Sequence, residues 1–201
     1  MVNLTQCPKN DALAFIGTVS SALENETDGR LAVSQIAAAI SQYTTLDLQY
    51  IGGHLRLEVE KLPNPYKNVY KPFSQDLIRQ HAAFFADLRA GSAPETIADP
   101  VLWKEYWSGA AAACLASEAA ISSAPRPEFD SLSAKFFYRL VYGYAMLLKG
   151  EPGHPVGMPF PGGLKIRVEG SEIYCPIRDK EKDLPQALCN FCPAKQDPHY
   201  A

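Results

Sequence analysis

The sequence DSLSAKFFYRLVYGYAMLLKG, residues 130–150, decides the fold of this chain. It predicts a helix from about Asp130 to Lys149 that Gly150 ends. Two apolar stripes lie side by side along this helix, one formed by Phe136, Leu140, Gly143 and Leu147 and the other by Phe137, Val141, Tyr144 and Leu148. A helix that is apolar over so much of its circumference is typical of the centre of a core. The glycine in the first stripe would let a neighbour approach closely, and we expect that neighbour to be the alanine run 110–113.

Five further helices are predicted before this one. Apolar spacing and capping residues place them at about 10–24, 28–40, 45–62, 75–90 and 100–122. Three prolines between residues 62 and 73 stop the third helix. Ser74 is the expected N-cap of the fourth and Gly91 suits its far end, while Asp99 followed by Pro100 opens the fifth. The fold class is therefore mainly α, a bundle-like domain of about six helices.

The character of the chain changes after Gly150. The segment GEPGHPVGMPFPGG, residues 150–163, is too rich in proline and glycine for a regular helix or a central strand. The following LKIRVEGSEIYCPI, residues 164–177, alternates on both sides of a polar EGSE turn, which predicts a small β-hairpin. We expect residues 1–150 to form a helical domain, with the loop, hairpin and a C-terminal cysteine knuckle of residues 151–201 packed on it.

Composition and charge narrow the class of protein. The chain has 201 residues and a formal net charge of −3, without a run of Lys and Arg, so binding to nucleic acid is not expected. Its N-terminal sequence, MVNLTQCPKNDALAF, lacks the basic and apolar regions of a signal peptide, and the Ala-rich segment is interrupted by polar residues. We therefore expect a cytoplasmic protein outside the membrane, where clustered thiols favour metal or redox sites over disulfides.

Three of the five cysteines lie near the C-terminus. Cys189 and Cys192 form a C-x2-C pair, and Cys175 lies at the end of the predicted hairpin. Thiolates at this spacing can hold a tetrahedral zinc ion, which needs four ligands at a structural site. The fourth ligand would be Cys7 or His199. We rank Cys7 first, because Cys7, like Cys175 and Cys192, is followed by proline and would complete an all-sulfur set.

Two alternatives to zinc remain open for these cysteines. An iron–sulfur cluster would use the same all-sulfur set. Without metal, the thiols would be packed and reduced or would form a redox disulfide. A thioredoxin-type site is disfavoured, because the pair ends a short helix instead of opening one, where the helix dipole lowers thiol pKa values. Cys114, in the Ala-rich helix, is expected to be a small buried hydrophobe.

A second candidate site involves the central helix. Arg139 carries a charge on a mostly apolar helix and would need a carboxylate or an anion if it were buried. Together with Tyr142 and with His154 of the 150–163 loop, it would line an anion or ligand pocket. The simpler alternatives are an Arg139 on a solvated strip of the helix, and a loop that only connects and covers.

The block YCPIRDKEKDLPQALCNFCPAKQ, residues 174–196, resembles an uncharacterised archaeal family of unknown function found mainly in methanogens. The resemblance implies a cytoplasmic archaeal protein of about this length, and it brings no activity or catalytic residue. A methanogen setting also favours the iron–sulfur alternative.

Two classes of function follow from this sequence. The first is a binding or interaction module with a structural metal, whose partner would be another protein or a second copy of the chain. The second is an iron–sulfur or metal-dependent redox enzyme. The first is preferred, because no acid, base or nucleophile constellation accompanies the cysteines.

Overall fold

The structure, a computed structural model, describes residues 3–116, 131–184 and 187–200. Most of these residues are helical, which confirms the mainly α class. The helices are α1 (Lys9–Glu24), α2 (Gly29–Ile40), α3 (Thr45–Lys61), α4 (Tyr66–Tyr70), α5 (Asp76–Ala90), α6 (Pro100–Ser108), α7 (Ala110–Leu115) and α8 (Leu132–Gly143). Short 3₁₀ turns lie at Leu4–Gln6, Lys71–Phe73, Arg178–Glu181, Leu188–Phe191 and Pro198–Tyr200. None of these described helices has both the length and the hydrophobicity needed to cross a bilayer.

Side-chain caps explain where several helices begin. The N-caps Asp28, Thr44, Asp99 and Ser131 accept hydrogen bonds from the backbones of Leu31, Asp47, Leu102 and Ala134. The predicted Ser74 cap is wrong, because α5 begins one residue later and the Ser74 hydroxyl donates to the Lys71 carbonyl instead. At the other end of α5, Gly91 adopts the left-handed conformation that glycine favours, with φ of 66°, as predicted.

Helix α8 lies at the centre of the core, as its two apolar stripes predict. Phe136, Phe137 and Leu140 are completely buried, and α8 contacts α1, α2, α5 and α7. Its last turn differs from the prediction, since Tyr144–Leu148 forms a π-helix in which the Lys149 amide donates to the Tyr144 carbonyl. The wider turn accommodates one additional residue before Gly150.

The neighbour of Gly143 is not the predicted alanine run. A Cβ at this position would lie 2.9 Å from Tyr106 Cε1 and 2.9 Å from Trp107 Cζ2, both on α6. The glycine thus allows α8 to pass directly over two large aromatic rings that are themselves fully buried.

The predicted fifth helix is divided into two. It breaks at Gly109, which ends α6 and precedes α7, so the alanine run starts a new helix. The remainder of that prediction, residues 117–122, lies outside the described residues. The proline-rich connection before α5 also contains a short helix, α4. This helix lies between two prolines, Pro65 and Pro72, and contains none itself.

The C-terminal hairpin is confirmed and gains a third strand. Strands β1 (Arg167–Glu169) and β2 (Glu172–Cys175) are antiparallel, with Val168 opposite Ile173. Strand β3 (Lys195–Gln196) pairs parallel to β2 and places Gln196 opposite Cys175. Two residues are too few to give an alternation pattern, so the sequence did not predict β3.

Two apolar clusters connect the C-terminal segment to the helices. The smaller one contains Met158, Phe160, Ile166, Cys175, Ile177 and Ala194. Phe191 belongs to the main core and packs edge-to-face on Tyr106 of α6, with ring centroids 5.0 Å apart. The turn that carries Cys189 and Cys192 is therefore held against the helical body by an aromatic contact.

Asp47 joins the N-terminal segment to the start of α3. Its buried carboxylate accepts hydrogen bonds from the backbone and hydroxyl of Thr5 at 2.8 and 2.6 Å and from those of Thr44 at 2.8 and 2.7 Å. Burial raises the pKa of Asp47, but these four donors outweigh it, so the pKa lies below its usual value.

We expect Asp47→Asn to lower the free energy of unfolding by about 1–3 kcal/mol, since the amide group cannot accept the Thr44 donors. Because folding lowers the pKa of Asp47, its contribution is complete above about pH 4 and is lost as the pH falls further. Urea unfolding between neutral and acidic pH measures both effects. Asp28→Asn, at the exposed cap of α2, is the control, because Asn caps equally well. An equal loss in both variants would contradict the role of Asp47.

Gly143→Ala should destabilise the protein by about 1–3 kcal/mol or more, because the added methyl group overlaps the Tyr106 and Trp107 rings. Gly17→Ala is the matched control, since a Cβ at this helical position meets nothing within 4 Å and alanine is the better helix former. Thermal unfolding of the two variants should therefore shift in opposite directions. A Gly143→Ala variant as stable as the parent would show that α8 and α6 are not in close contact.

Candidate functional site

Three thiols and one imidazole line a single cavity at the C-terminal end of α8. The cavity has a volume of about 20 Å³ and is bordered by Cys175, Cys189, Cys192 and His154, together with Tyr138, Met146, Gly153, Arg178 and Leu188. We call it the thiol cavity. Its volume accommodates roughly one water-sized sphere. The structure thus brings the three C-terminal cysteines together, and it adds His154, which the sequence assigned to a different pocket.

Each thiol is positioned by a separate local structure. Cys175 ends β2, and its carbonyl accepts a hydrogen bond from the Asp197 amide at 2.9 Å. Cys189 lies in the 3₁₀ turn Leu188–Phe191 and Cys192 caps that turn, with the Cys192 amide donating to the Cys189 carbonyl at 3.2 Å. The Asn190 side chain also donates to the Leu184 carbonyl and so fixes the turn to the preceding chain.

Backbone amides point at two of the sulfurs. The Gly153 amide donates to Cys192 Sγ at 3.3 Å, and the backbone amides of Ile177 and Arg178 act on the Cys175 sulfur in the direction that lowers its pKa. Burial raises the pKa of the Cys175 thiol to about 11, although the two amides oppose this rise. Hydrogen bonds of this kind favour the thiolate over the thiol, so they suit a sulfur that gives up its proton to a metal.

The thiol cavity is not an assembled metal site. Among the described residues, no group of three or more His, Cys, Asp or Glu side chains is gathered so that it could hold a metal ion. The predicted four-ligand metal knuckle is therefore not shown among these residues, although its three C-terminal members share one small cavity.

The structure does not bring Cys7 to this cavity. Its sulfur lies 3.7 Å from the Ser133 hydroxyl at the start of α8, whereas Met146 borders the thiol cavity at the other end of that helix. Thirteen residues of helix separate these two points by about 20 Å. The alternative ligand, His199, is exposed in the C-terminal 3₁₀ turn and does not line the cavity either. Cys114 is buried in the main core, as expected.

Arg139 is buried but faces α6. Its guanidinium donates to the Tyr106 carbonyl at 3.0 Å and lies over the Tyr106 ring, 4.2 Å from the centroid. In return, the Tyr106 hydroxyl donates to the Arg139 carbonyl at 2.6 Å. The side chain lines neither cavity that borders His154, so the structure separates it from the other two residues predicted to share its pocket.

The other two predicted pocket residues, Tyr142 and His154, do share a cavity. This second cavity has a volume of about 40 Å³ and is bordered by Leu55, Tyr70, Phe73, Ser74, Asp76, Leu77, Tyr138, Tyr142, Gly153, His154, Pro155 and Met158. We call it the tyrosine cavity. Tyr138, Gly153 and His154 also border the thiol cavity and so form a common wall between the two.

The polar side of the tyrosine cavity is built on Asp76, which the sequence analysis missed. The Tyr142 hydroxyl donates to Asp76 Oδ2 at 2.8 Å, and Arg79 donates to Oδ1 at 2.9 Å. Burial raises the pKa of Asp76 against the effect of these two donors. An acidic residue in the first turn of a helix is usually explained by the helix dipole, so the sequence offers little to single it out.

Comparison with known proteins identifies relatives of unknown activity. The family described as uncharacterized protein conserved in archaea (DUF2115) matches residues 28–197, a range that contains both cavities and excludes Cys7. A UPF0305 protein of Methanothermobacter thermautotrophicus is 44% identical over 69 residues, which are 34% of this chain and 44% of that protein. A UPF0305 protein of Methanopyrus kandleri is 43% identical over 72 residues, 36% of this chain and 51% of that protein. The chain thus spans about half the length of these curated relatives. No solved structure matches it.

We expect Phe191→Ala to cost about 3–5 kcal/mol, because it removes a buried ring from the core contact with Tyr106. It should also speed hydrogen exchange of the amides in the turn that carries Cys189 and Cys192. Tyr200→Ala is the control, since that side chain is 50% exposed and its loss should change stability by less than about 0.5 kcal/mol. Slow exchange in the turn of the Phe191 variant would show that other contacts hold it.

Proposed function

This chain belongs to the family of uncharacterized proteins conserved in archaea (DUF2115), and from the site that lies within the matched range we propose that it binds one zinc ion in the thiol cavity. The ligands would be Cys175, Cys189, Cys192 and His154. The observation that carries the proposal is that three thiols and an imidazole border one cavity of the size of a single ion. Three cysteines and one histidine form an established ligand set of structural zinc.

The ligand set favours zinc over an iron–sulfur cluster. Clusters are usually held by four cysteine thiolates. This chain has five cysteines, and the two outside the thiol cavity lie at the far end of α8 and within the main core. A cavity of about 20 Å³ also suits one ion better than a multi-atom cluster.

Metal binding would require the four side chains to converge. Zinc lies about 2.0–2.3 Å from its nitrogen and sulfur ligands. Side chains that only border a cavity can lie further than this from its centre. Binding would also release the thiol protons, and the amides of Gly153, Ile177 and Arg178 would then stabilise the resulting thiolates. The backbone around the site is thus already suited to the metal-bound form.

The role of the metal would be structural, in a binding or interaction protein of a reducing compartment such as the cytoplasm. A zinc ion in the thiol cavity would join three segments, namely the loop after α8, the end of β2 and the turn at Cys189. The redox alternative has less support, because the C-x2-C pair lies in a 3₁₀ turn and not at the start of an α-helix, where a thiol pKa is lowered.

Elemental analysis of the purified protein tests the proposal directly. We expect about one zinc per chain, retained through gel filtration. Replacement by cobalt should give the visible absorbance of a tetrahedral thiolate site. If the metal supplies about 3 kcal/mol, its removal by a chelator should lower the melting temperature by about 6–12 °C.

Matched variants separate the proposed ligands from other residues of the same type. Cys175→Ser, Cys192→Ser and His154→Ala should lose the metal, whereas Cys7→Ser and His199→Ala should keep it. Zinc retained in a variant lacking all three C-terminal thiols would overturn the proposal. If the purified protein is brown and contains iron and sulfide, the site holds an iron–sulfur cluster and not zinc.

A further inference from the structure

The tyrosine cavity has features of a ligand site that is distinct from the thiol cavity. We propose that it binds a small cation of the ammonium type, such as ammonium or methylammonium. The proposal does not depend on the metal, because Asp76, Tyr142 and Ser74 all lie outside the proposed ligand set. It follows from four properties of the cavity, namely its acceptors, its rings, its charge and its size.

Three polar groups of the lining, on Asp76, Tyr142 and Ser74, offer acceptors to the cavity. The Tyr142 hydroxyl uses its proton on Asp76, and the Ser74 hydroxyl uses its proton on the Lys71 carbonyl at 2.7 Å. Each of these oxygens is left with lone pairs, and an ionised carboxylate only accepts. A ligand made of N–H donors matches this arrangement, whereas an anion would meet acceptors.

Aromatic rings form much of the remaining wall. Tyr70, Phe73, Tyr138 and Tyr142 all border the cavity, and the last two have ring centroids 4.5 Å apart. The faces of such rings attract cations, and the attraction increases where water is excluded. A carboxylate among several aromatic rings is thus a suitable environment for a small organic ammonium ion.

The charges around the cavity leave a negative excess. The carboxylates of Asp76, Asp87 and Glu151 lie near one another, and Arg79 and Lys149 form ion pairs with them. Lys149 is shared between two of the acids, at 2.8 and 2.9 Å. Arg79 is 56% exposed, so water screens its attraction to Asp76, whose own side chain is 10% exposed. A cation inside the cavity would therefore stabilise a carboxylate that burial penalises.

The size of the cavity sets the class of cation. Its volume of about 40 Å³ is room for roughly two or three water-sized spheres. Ammonium and methylammonium have one and two heavy atoms and fit this space, while tetramethylammonium has five and does not. Potassium has a suitable size but no N–H groups to donate. It is therefore the control that separates the effect of cation size from that of hydrogen bonding.

Thermal unfolding in an amine-free sodium buffer tests the proposal on the protein as purified. Methylammonium chloride should raise the melting temperature in a saturable way, by roughly 5–10 °C at a hundredfold excess over its Kd. Sodium chloride at the same ionic strength should not. Titration calorimetry then measures the Kd directly and compares it with ammonium, potassium and tetramethylammonium.

Variants assign the binding to this cavity. Asp76→Asn should abolish it. Tyr142→Phe, which removes one acceptor together with the hydrogen bond that orients Asp76, should weaken it about tenfold. Asp28→Asn, at a carboxylate that borders neither cavity and lies outside this charge cluster, should leave the Kd unchanged. The proposal is overturned if methylammonium acts no differently from sodium, if tetramethylammonium or potassium binds as tightly, or if the Tyr142 variant binds like the parent. The metal content is measured separately, so that a failure of cation binding and a failure of metal binding can be told apart.

Discussion

The close passage of α8 over α6 is the constraint on which the rest of this structure depends. Because Gly143 has no side chain, the helix can rest on the Tyr106 and Trp107 rings. One turn earlier, Arg139 and Tyr106 exchange hydrogen bonds with each other's carbonyl groups. Phe191 from the C-terminal segment packs edge-to-face on the same Tyr106 ring. A single buried tyrosine therefore contacts both the central helix and the turn that carries two of the three clustered thiols, and so holds that side of the thiol cavity in place.

Much of the helical fold could be predicted from the sequence because helical periodicity is a local property. The stripes of α8 and the caps at Asp28 and Asp99 each depend on residues within a few positions of one another. The predictions were wrong where contacts between residues far apart in the sequence determine the structure. The neighbour of Gly143 is a pair of rings on α6, which no local pattern specifies. Strand β3 is too short to have a period and exists because β2 offers it an edge. The π-helical turn at Tyr144–Leu148 likewise leaves the apolar pattern of α8 almost unchanged.

The candidate site was predictable to a similar degree and for the same reason. The C-x2-C spacing and the hairpin placed Cys175, Cys189 and Cys192 together, since both are short-range signals. The choice of Cys7 rested on its following proline and on the all-sulfur set it would complete. Neither carries information about distance, and the structure puts Cys7 at the opposite end of α8. His154 was recognised as a loop residue of interest, but its place beside the thiols depends on how the loop folds back over Met146. Asp76 was missed because its significance comes from Tyr142, a residue 66 positions further along the chain.

The two cavities share the wall formed by Tyr138, Gly153 and His154, which offers a physical route for coupling between them. If the His154 imidazole turns toward the cysteine sulfurs of the thiol cavity, it also changes the wall of the tyrosine cavity. If both cavities bind the ligands proposed above, occupation of one would alter the affinity of the other, and linkage requires that effect to be reciprocal and equal in both directions. In such a protein the affinity for one ligand would depend on the concentration of the other, and the 150–163 loop that carries Gly153 and His154 would transmit the effect.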